Sequence, residues 1–415
     1  MSGFDSILTL GESEHLVGQI KSFKVEKIGS EQWVKQHLLC NKLNLQLHQS
    51  AMTHCDEFVK DHIVVMDKAT DIIKQLIVTH FFRKNVIMPY YDEINGINSN
   101  FTYFLLYHET VLVNMLEVLV FHDDFIESID ENMVDLLEVV YSSLVYLTQV
   151  KGKKYYLKQA TPIENHCFKT GMSMVTIMRF LLNNTKKFSR FLKYNIPDLM
   201  SELLEKQPWK IVNEKKLFVY ENHQWTQLQP GGPALNSIEA NVWISLICIF
   251  LSQNNFELLS NVNIAALESL TRFISEPKVD MLPMLGDLRN MFGGLKSYEQ
   301  QMNNSRSAFM VEEMPSFLPV VEGCNWDEVK MNLATFLNSP EFLHVFQLLS
   351  KDFSEIFTDE NTQPVLQQPK CAVCSEDAPY RCQKCKQIWY CGVDCQRSDW
   401  KRHKKECRRL RILAE

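Results

Sequence analysis

The chain has 415 residues, 46% of them hydrophobic, and a formal net charge of −7. That is ample for a large buried core and long enough for two or three domains. Only 14 residues are glycine, a share well below the usual ~7%, which disfavours Gly-rich phosphate loops and turn-dense all-β folds.

The modest net charge hides an asymmetry. From Cys371 to Glu415 there are 11 Lys and Arg against 6 Asp and Glu, whereas the other 370 residues carry 32 against 44. The body is acidic and the tail basic, so a chain-wide basic field for nucleic acid is missing. The first residues hold Asp5 and no basic run leading into an apolar one, so no secretory leader is expected. The longest strongly apolar stretch, Val242–Leu251, is far short of the ~20 residues that span a bilayer. A cytosolic or nuclear setting follows, where thiols stay reduced.

Residues 1–355 read as a mostly α-helical body. Val65, Ala69, Ile72 and Leu76 lie in a polar–apolar mixture without Gly or Pro, and Val111, Val113, Met115, Leu116 and Leu119 in a denser apolar stretch. Met133, Leu136, Leu137, Val140, Leu144 and Leu147 step by threes and fours along one helix face, as do Met172, Val175, Met178 and Leu182, then Phe342, Val345 and Leu348. Tyr103–Leu106 is apolar nearly all round, as in a helix packed on both sides. The charged turn at Lys151–Lys154, Pro162, Pro197, Pro208, Gly231-Gly232-Pro233, Pro283 and Gly293-Gly294 punctuate the helices. Asn236 with Glu239 reads as a capping box ahead of Val242–Leu251. Lys216–Gln229 departs from the pattern and predicts a short β-hairpin turning at Asn222. No repeat of fixed period is visible. The body is therefore either an irregular helical-repeat array of armadillo or HEAT type or a helical bundle. Residues 356–370, with Pro364 and Pro369, read as a linker, and Gln301–Ser307 as a second exposed loop.

The cysteines are unevenly placed. Five of the twelve are scattered through the body, and seven fall in residues 371–407 with His403. The order is Cys371-x2-Cys374-x7-Cys382-x2-Cys385-x5-Cys391-x3-Cys395-x7-His403-x3-Cys407. Eight soft donors make two tetrahedral sets of four, the closed coordination of structural zinc, so two Zn2+ ions are expected. The x3 spacings put two ligands one helical turn apart, which suits a basic helix over Ser398–Arg411. Spacing alone leaves open whether the two sets interleave or follow one another. Lys401, Arg402, Lys404, Lys405, Arg408, Arg409 and Arg411 read as a solvated helix face, not a DNA-binding element, and no nucleic-acid partner is expected. Residues 408–415 form a basic tail.

The segment CAVCSEDAPYRCQKCKQIWYCGVDCQRSDWKRHKKEC resembles a MYND finger in its spacing, its aromatic pair Trp389-Tyr390 and its Gln396 and Trp400. The resemblance implies interleaved ligands, with Cys371, Cys374, Cys391 and Cys395 on one zinc and Cys382, Cys385, His403 and Cys407 on the other. It also implies a protein-binding module whose peptide groove is lined by Gln396 and Trp400. Gln383 departs from the small polar residue of peptide-binding members, which puts a shared preference in doubt. Pro364–Pro369 loosely resembles the proline-rich peptides such fingers bind, but it reads as a tether.

No Gly-x-Gly-x-x-Gly, P-loop or His-Glu-x-x-His occurs, nor the cofactor loop and Asn-His-Ser-Cys-like segment of a SET methyltransferase, so no enzyme is expected. Cys167 beside His166 is the nearest thing to a nucleophile pair. The body segments GSEQWVKQH, KLNLQ, FLLYHETVLVNMLEVLVFH, PDLMSELLEKQPW and NVWISLICIFLS resemble, with the finger and the length, the MYND-finger family of axonemal dynein assembly factors. That resemblance implies a cytoplasmic, non-enzymatic adaptor or co-chaperone, also at centriolar satellites. Its partners would be a leucine-rich-repeat co-factor bound through the C-terminal region, dynein arm subunits, and an Hsp90-type chaperone with an immunophilin. The alternative is a nuclear MYND-type co-repressor.

Overall fold

A computed structural model describes residues 7–53, 56–184, 191, 194–229, 231–251, 262–302, 314–342, 344–345, 347, 371–374, 376, 378, 380–382 and 388–412. It divides into two units, Met1–Val345 and Phe346–Glu415. The linker assigned to 356–370 lies outside the described residues, as do Leu348 and most of the loop at Gln301–Ser307.

The first unit is built of helices around one small sheet. In chain order it runs α1 (Leu10–Gly18), α2 (Glu31–Thr53), α3 (Phe58–Val65), α4 (Ala69–Phe82), a π-helical turn at Arg83–Ile87, α5 (Tyr91–Leu119), α6 (Asp123–Ser128), α7 (Met133–Gln149), α8 (Gly152–Tyr156), α9 (Pro162–Asn184) and α10 (Ile196–Lys206). Strands β1 (Lys210–Asn213), β2 (Lys216–Glu221) and β3 (Gln224–Gln227) follow. Then come α11 (Ser237–Phe250), α12 (Ile264–Ser269), α13 (Glu276–Met281), α14 (Met284–Met302), α15 (Leu318–Glu322) and α16 (Trp326–Leu337).

The helix faces read from the sequence are the core. Met133, Leu136, Leu137, Val140, Leu144 and Leu147 of α7 are all buried, as are Met172, Val175, Met178 and Leu182 of α9. Helix α9 lies against α5, α7 and α11, and α2 against α5. Most packing thus joins helices close in chain order, as in a stacked array. The end of the unit departs from it: α15 returns to α4, and α16 to α5 and the π-helical turn. Asp135 of α7, fully buried, anchors that return. Its carboxylate accepts from the backbone N–H of Ser316 and Phe317 at 3.2 and 3.0 Å and of Leu318 at 2.8 Å. These are the orphan donors at the start of α15, capped by a residue from another helix.

Four local expectations change. Val65 ends α3 and is exposed, because Asp67 adopts a left-handed φ of 53° and breaks the chain before α4. Asp tolerates that region, so a break needs neither Gly nor Pro. Gly293-Gly294 does not interrupt a helix but lies inside α14, where buried Leu288, Phe292 and Leu295 outweigh the ~1 kcal/mol propensity loss per glycine. Tyr103 is exposed, so the run at Tyr103–Leu106 packs on one side chiefly. Asn236 does cap α11, accepting from the Glu239 N–H at 2.7 Å, but Glu239 turns inward to Trp243 Nε1 and the Lys278 ammonium instead of closing the box.

The hairpin at Lys216–Gln229 is present, with Asn222 and His223 at φ 49° and 60° in a two-residue turn of the kind that suits hairpin twist. A third strand, β1, pairs antiparallel with β2 across a second such turn at Glu214-Lys215, φ 48° and 61°. Neither Glu nor Lys signals that turn, which is why β1 escapes a sequence reading. Gly152 opens α8 with its Cα hard against the Pro208 carbonyl oxygen, leaving no room for a Cβ.

One polar cluster sits in the middle of the packed helices. Glu109 of α5 accepts two bonds from Arg83, Nε at 2.6 Å and Nη2 at 3.0 Å, and one from His166 Nε2 at 2.8 Å. His80 Nδ1 lies 3.2 Å from the same carboxylate and 3.0 Å from Arg83 Nη2. All four side chains are buried. Burial alone would raise the Glu109 carboxyl, but Arg83 and His166 hold it well below the usual range. Burial lowers both imidazoles, His80 and His166, against the raising effect of Glu109. Cys167, beside His166, packs its sulfur 3.1 Å from Arg83 Nη1 and is pushed up by burial, the opposite of an activated nucleophile. A second buried pair, His37 and His108, meets Nδ1 to Nδ1 at 3.2 Å among Trp33, Phe104 and Tyr107. Burial brings His37 down to about 4 and holds His108 well below the usual imidazole value.

Removing one member of the Arg83–Glu109 pair strands the other charge, so Glu109→Ala should lower unfolding stability by roughly 3–5 kcal/mol in urea titration. The four buried histidines give an acid-side dependence. Their folded values lie below the unfolded value near ~6.5, so the stabilisation is complete above that pH and is lost as the unfolded chain gains protons below it. Stability measured by urea titration should therefore fall as the pH drops from 7.5 to 5.5, and less so in His37→Gln.

Candidate metal centre

The finger is built by a two-stranded ladder and one helix. Strands β4 (Tyr380–Arg381) and β5 (Trp389–Tyr390) pair antiparallel, Tyr380 opposite Tyr390 and Arg381 opposite Trp389. The Cys382 N–H extends this ladder to the Ile388 carbonyl at 2.8 Å. The Ala372 N–H bonds to the Trp389 carbonyl at 3.0 Å, laying the first cysteine knuckle against β5. Helix α17 (Val393–Ile412) then carries the remaining donors at one-turn spacing.

This arrangement brings two donor groups together. Cys371, Cys374, Cys391 and Cys395 form the first, and Cys382, His403 and Cys407 the second, all donor atoms of each lying within 4.8 Å of one another. In the first, Sγ–Sγ distances are 3.4 Å for Cys374–Cys391, 3.4 Å for Cys391–Cys395 and 3.9 Å for Cys374–Cys395. In the second, Cys382 and Cys407 are 3.8 Å apart. Tetrahedral zinc with Zn–S bonds of ~2.3 Å sets sulfurs roughly 3.8 Å apart, so the donors present fit the ion. The two groups are consistent with two zinc ions. Each draws on both the knuckle or ladder and the helix, an interleaved pattern. Cys385, which the resemblance to a MYND finger places in the second set, lies outside the described residues, as does Gln383.

The two groups differ in exposure. Cys382, His403 and Cys407 are all buried, and with Cys371, Ala378 and Tyr390 they fill the finger's small core. In the first group Cys374 is exposed and Cys391 and Cys395 are half-buried. So few apolar residues cannot carry a fold, and metal binding supplies most of its stability.

Two features went unread in the sequence. The buried Tyr390 hydroxyl donates to Asp399 Oδ2 at 2.8 Å, and Arg402 Nε donates to Oδ1 at 2.8 Å. This clasp ties the ladder to the helix beside His403. Arg402 first, then Tyr390, holds the Asp399 carboxyl below its usual range. The aromatic Tyr390 was visible, but nothing in the spacing links it to an aspartate nine residues on. Gln396 and Trp400, the candidate groove residues, fall four apart on one side of α17, both half-buried, with the Trp400 ring tilted against His403 at 6.0 Å between centroids.

Comparison with known proteins agrees with this geometry. The family model described as MYND finger matches residues 371–407. Over nearly its whole length the chain is similar to a Drosophila melanogaster protein described as Zinc finger MYND domain-containing protein 10 homolog, 22% identical over 440 aligned residues, covering 94% of this chain and 96% of that one. Two further similarities are confined to about the finger. N-lysine methyltransferase SMYD2 of Mus musculus is 39% identical over 46 residues, 11% of each chain. Tudor domain-containing protein 1 of Oryzias latipes is 44% identical over 46 residues, 11% of this chain and 4% of that one. No solved structure matches. The chain carries a MYND finger, its likeness to the Drosophila protein runs end to end, and the methyltransferase likeness is confined to about the finger.

The unequal exposure predicts unequal release. Zinc-loaded protein challenged with EDTA should give up one equivalent at least tenfold faster than the second, followed with a zinc-binding dye. Cys374→Ser should lose the fast equivalent and keep the slow one. Release of both ions at a single rate would contradict the assignment of the two groups.

Proposed function

We propose that the protein is a non-enzymatic cytoplasmic adaptor and co-chaperone in the preassembly of outer and inner axonemal dynein arms, with the finger as its protein-binding module. The observation that carries this reading is the similarity running through 94% of the chain, body and finger together, to a MYND-finger protein. Many unrelated proteins share the finger, so the body is what narrows the reading to the dynein-arm assembly factors that its segments resemble. The partners in this reading are a leucine-rich-repeat assembly co-factor held by the C-terminal region, dynein arm subunits, and an Hsp90-type chaperone with an immunophilin. The place is the cytoplasm of ciliated cells and the centriolar satellites.

The architecture is compatible with an adaptor. No helix among the described residues is long and apolar enough to cross a membrane. The buried His166–Cys167 site is occupied by Arg83 and Glu109. A helical body of this size offers docking area for large clients, and the zinc-held finger offers a compact rigid head.

Depletion in multiciliated cells should remove both outer- and inner-arm dyneins from the axoneme, scored by immunofluorescence and by arm density in cross-section. Normal loading of both arms would overturn the reading. Capture of the leucine-rich-repeat co-factor by a 1–370 truncation at wild-type level would remove the finger from the role assigned to it.

A further inference from the structure

The outward side of α17 is a ladder of like charges. At 100° per residue, positions 397, 401, 404, 405 and 408 fall in about one 100° sector, and that sector lies opposite Cys395, Asp399, His403 and Cys407. All five are Arg or Lys. Arg397, Lys401 and Lys404 are exposed. Among the described residues these three make no ion pair or side-chain hydrogen bond; the helix's one described acid–base pair, Arg402–Asp399, belongs to the clasp with Tyr390. Asp394 is the single acid in the sector, at the helix start.

Such a surface works against its own helix. Arg397 with Lys401, Lys401 with Lys405, and Lys404 with Arg408 stand at i, i+4, a spacing at which like charges repel and weaken a helix. Ordinary solvated faces alternate Glu with Lys and gain from that spacing. Among the described residues, Arg397, Lys401 and Lys404 have no acidic side chain answering them, and local rules are broken most often at functional surfaces. A negatively charged partner would relieve that repulsion. From position 397 to position 408 the sector is about 16 Å long, a span that about five residues of extended peptide cover. Nucleic acid is the poorer match, because its phosphates continue past so short a stripe. Residues 1–370 carry 44 Asp and Glu against 32 Lys and Arg, which opposes a long polyanion.

We propose that this face of α17 is a docking surface for an acidic peptide segment of a partner protein, apart from the edge formed by Gln396 and Trp400. The proposal rests on the finger's role as a protein-binding module and names the chemistry of what it binds. Cations on a rigid helix engage carboxylates along one side while Cys395, His403 and Cys407 hold the other side to the zinc sites. Binding would speed with opposite charge and weaken with salt.

The test uses zinc-loaded full-length protein and three fluorescein-labelled probes: a ten-residue peptide alternating Glu and Ser, the same peptide with Gln for Glu, and a 20-base single-stranded DNA. Fluorescence anisotropy should show the Glu peptide binding at least tenfold more tightly than the Gln peptide. Its affinity should fall at least tenfold between 50 and 300 mM NaCl. Arg397→Glu with Lys401→Glu should lower it at least tenfold while the protein keeps two zinc equivalents. If that pair loses zinc, Arg397→Gln with Lys401→Gln replaces it, and a loss of threefold or more is expected. Equal binding of the Glu and Gln peptides, unchanged affinity in a variant that keeps its zinc, or tighter binding of DNA than of the Glu peptide would each overturn the proposal. None of these results bears on co-factor capture by the 1–370 truncation, so the two readings fail separately.

Discussion

The first unit depends on what it takes to keep one carboxylate out of water. Glu109 is buried at the middle of α5, where an unpaired charge would cost several kcal/mol after all relaxation. Arg83 answers it from the π-helical turn that follows α4, His166 from α9, and His80 from α4. Each answer fixes one helix against α5. The extra residue per turn of a π-helix lets Arg83 reach back toward the carboxylate while Val86 and Ile87 stay buried. Arg83 also spans to Cys167 and Met88, so its guanidinium is spent on sulfur as well as oxygen. The cluster specifies which helices meet, where apolar faces alone would tolerate sliding.

The finger solves the opposite problem. It has too little apolar surface to specify anything, so metal donors do the work of a core. Cys382 and Cys407 are among its buried residues alongside Tyr390 and Ala378, which makes ligation and packing one event in the second group. The Tyr390–Asp399–Arg402 clasp ties the ladder to the helix without passing through a donor residue. Strand β5 thereby reports to the helix both through metal and beside it.

Much of this was legible in advance, for identifiable reasons. The zinc donors stood out because their spacing is a chemical constraint, short enough to survive without knowing the fold. The faces of α7 and α9 stood out because burial on one side imposes a period. The hairpin at Asn222 stood out because Asn favours the left-handed conformation that the turn needs. Strand β1 was hidden because Glu214 and Lys215 adopt that conformation without advertising it. The break at Asp67 was hidden in the same way, and the intact helix through Gly293-Gly294 because packing overruled propensity. Contacts between distant parts of the chain leave no periodic trace, so neither the Glu109 cluster nor the return of α15 and α16 could be read.

That return sets a clock on synthesis. Asp135 is bonded to residues 181–183 positions further along the chain. At a translation rate of about 5–20 residues per second, the carboxylate is made roughly 10–40 s before its donors exist. Over that interval the sides of α4 and α5 that α15 and α16 later pack against lack those helices. For up to about half a minute of its own synthesis, the first unit would then lack the segment that its buried carboxylate is waiting to bind.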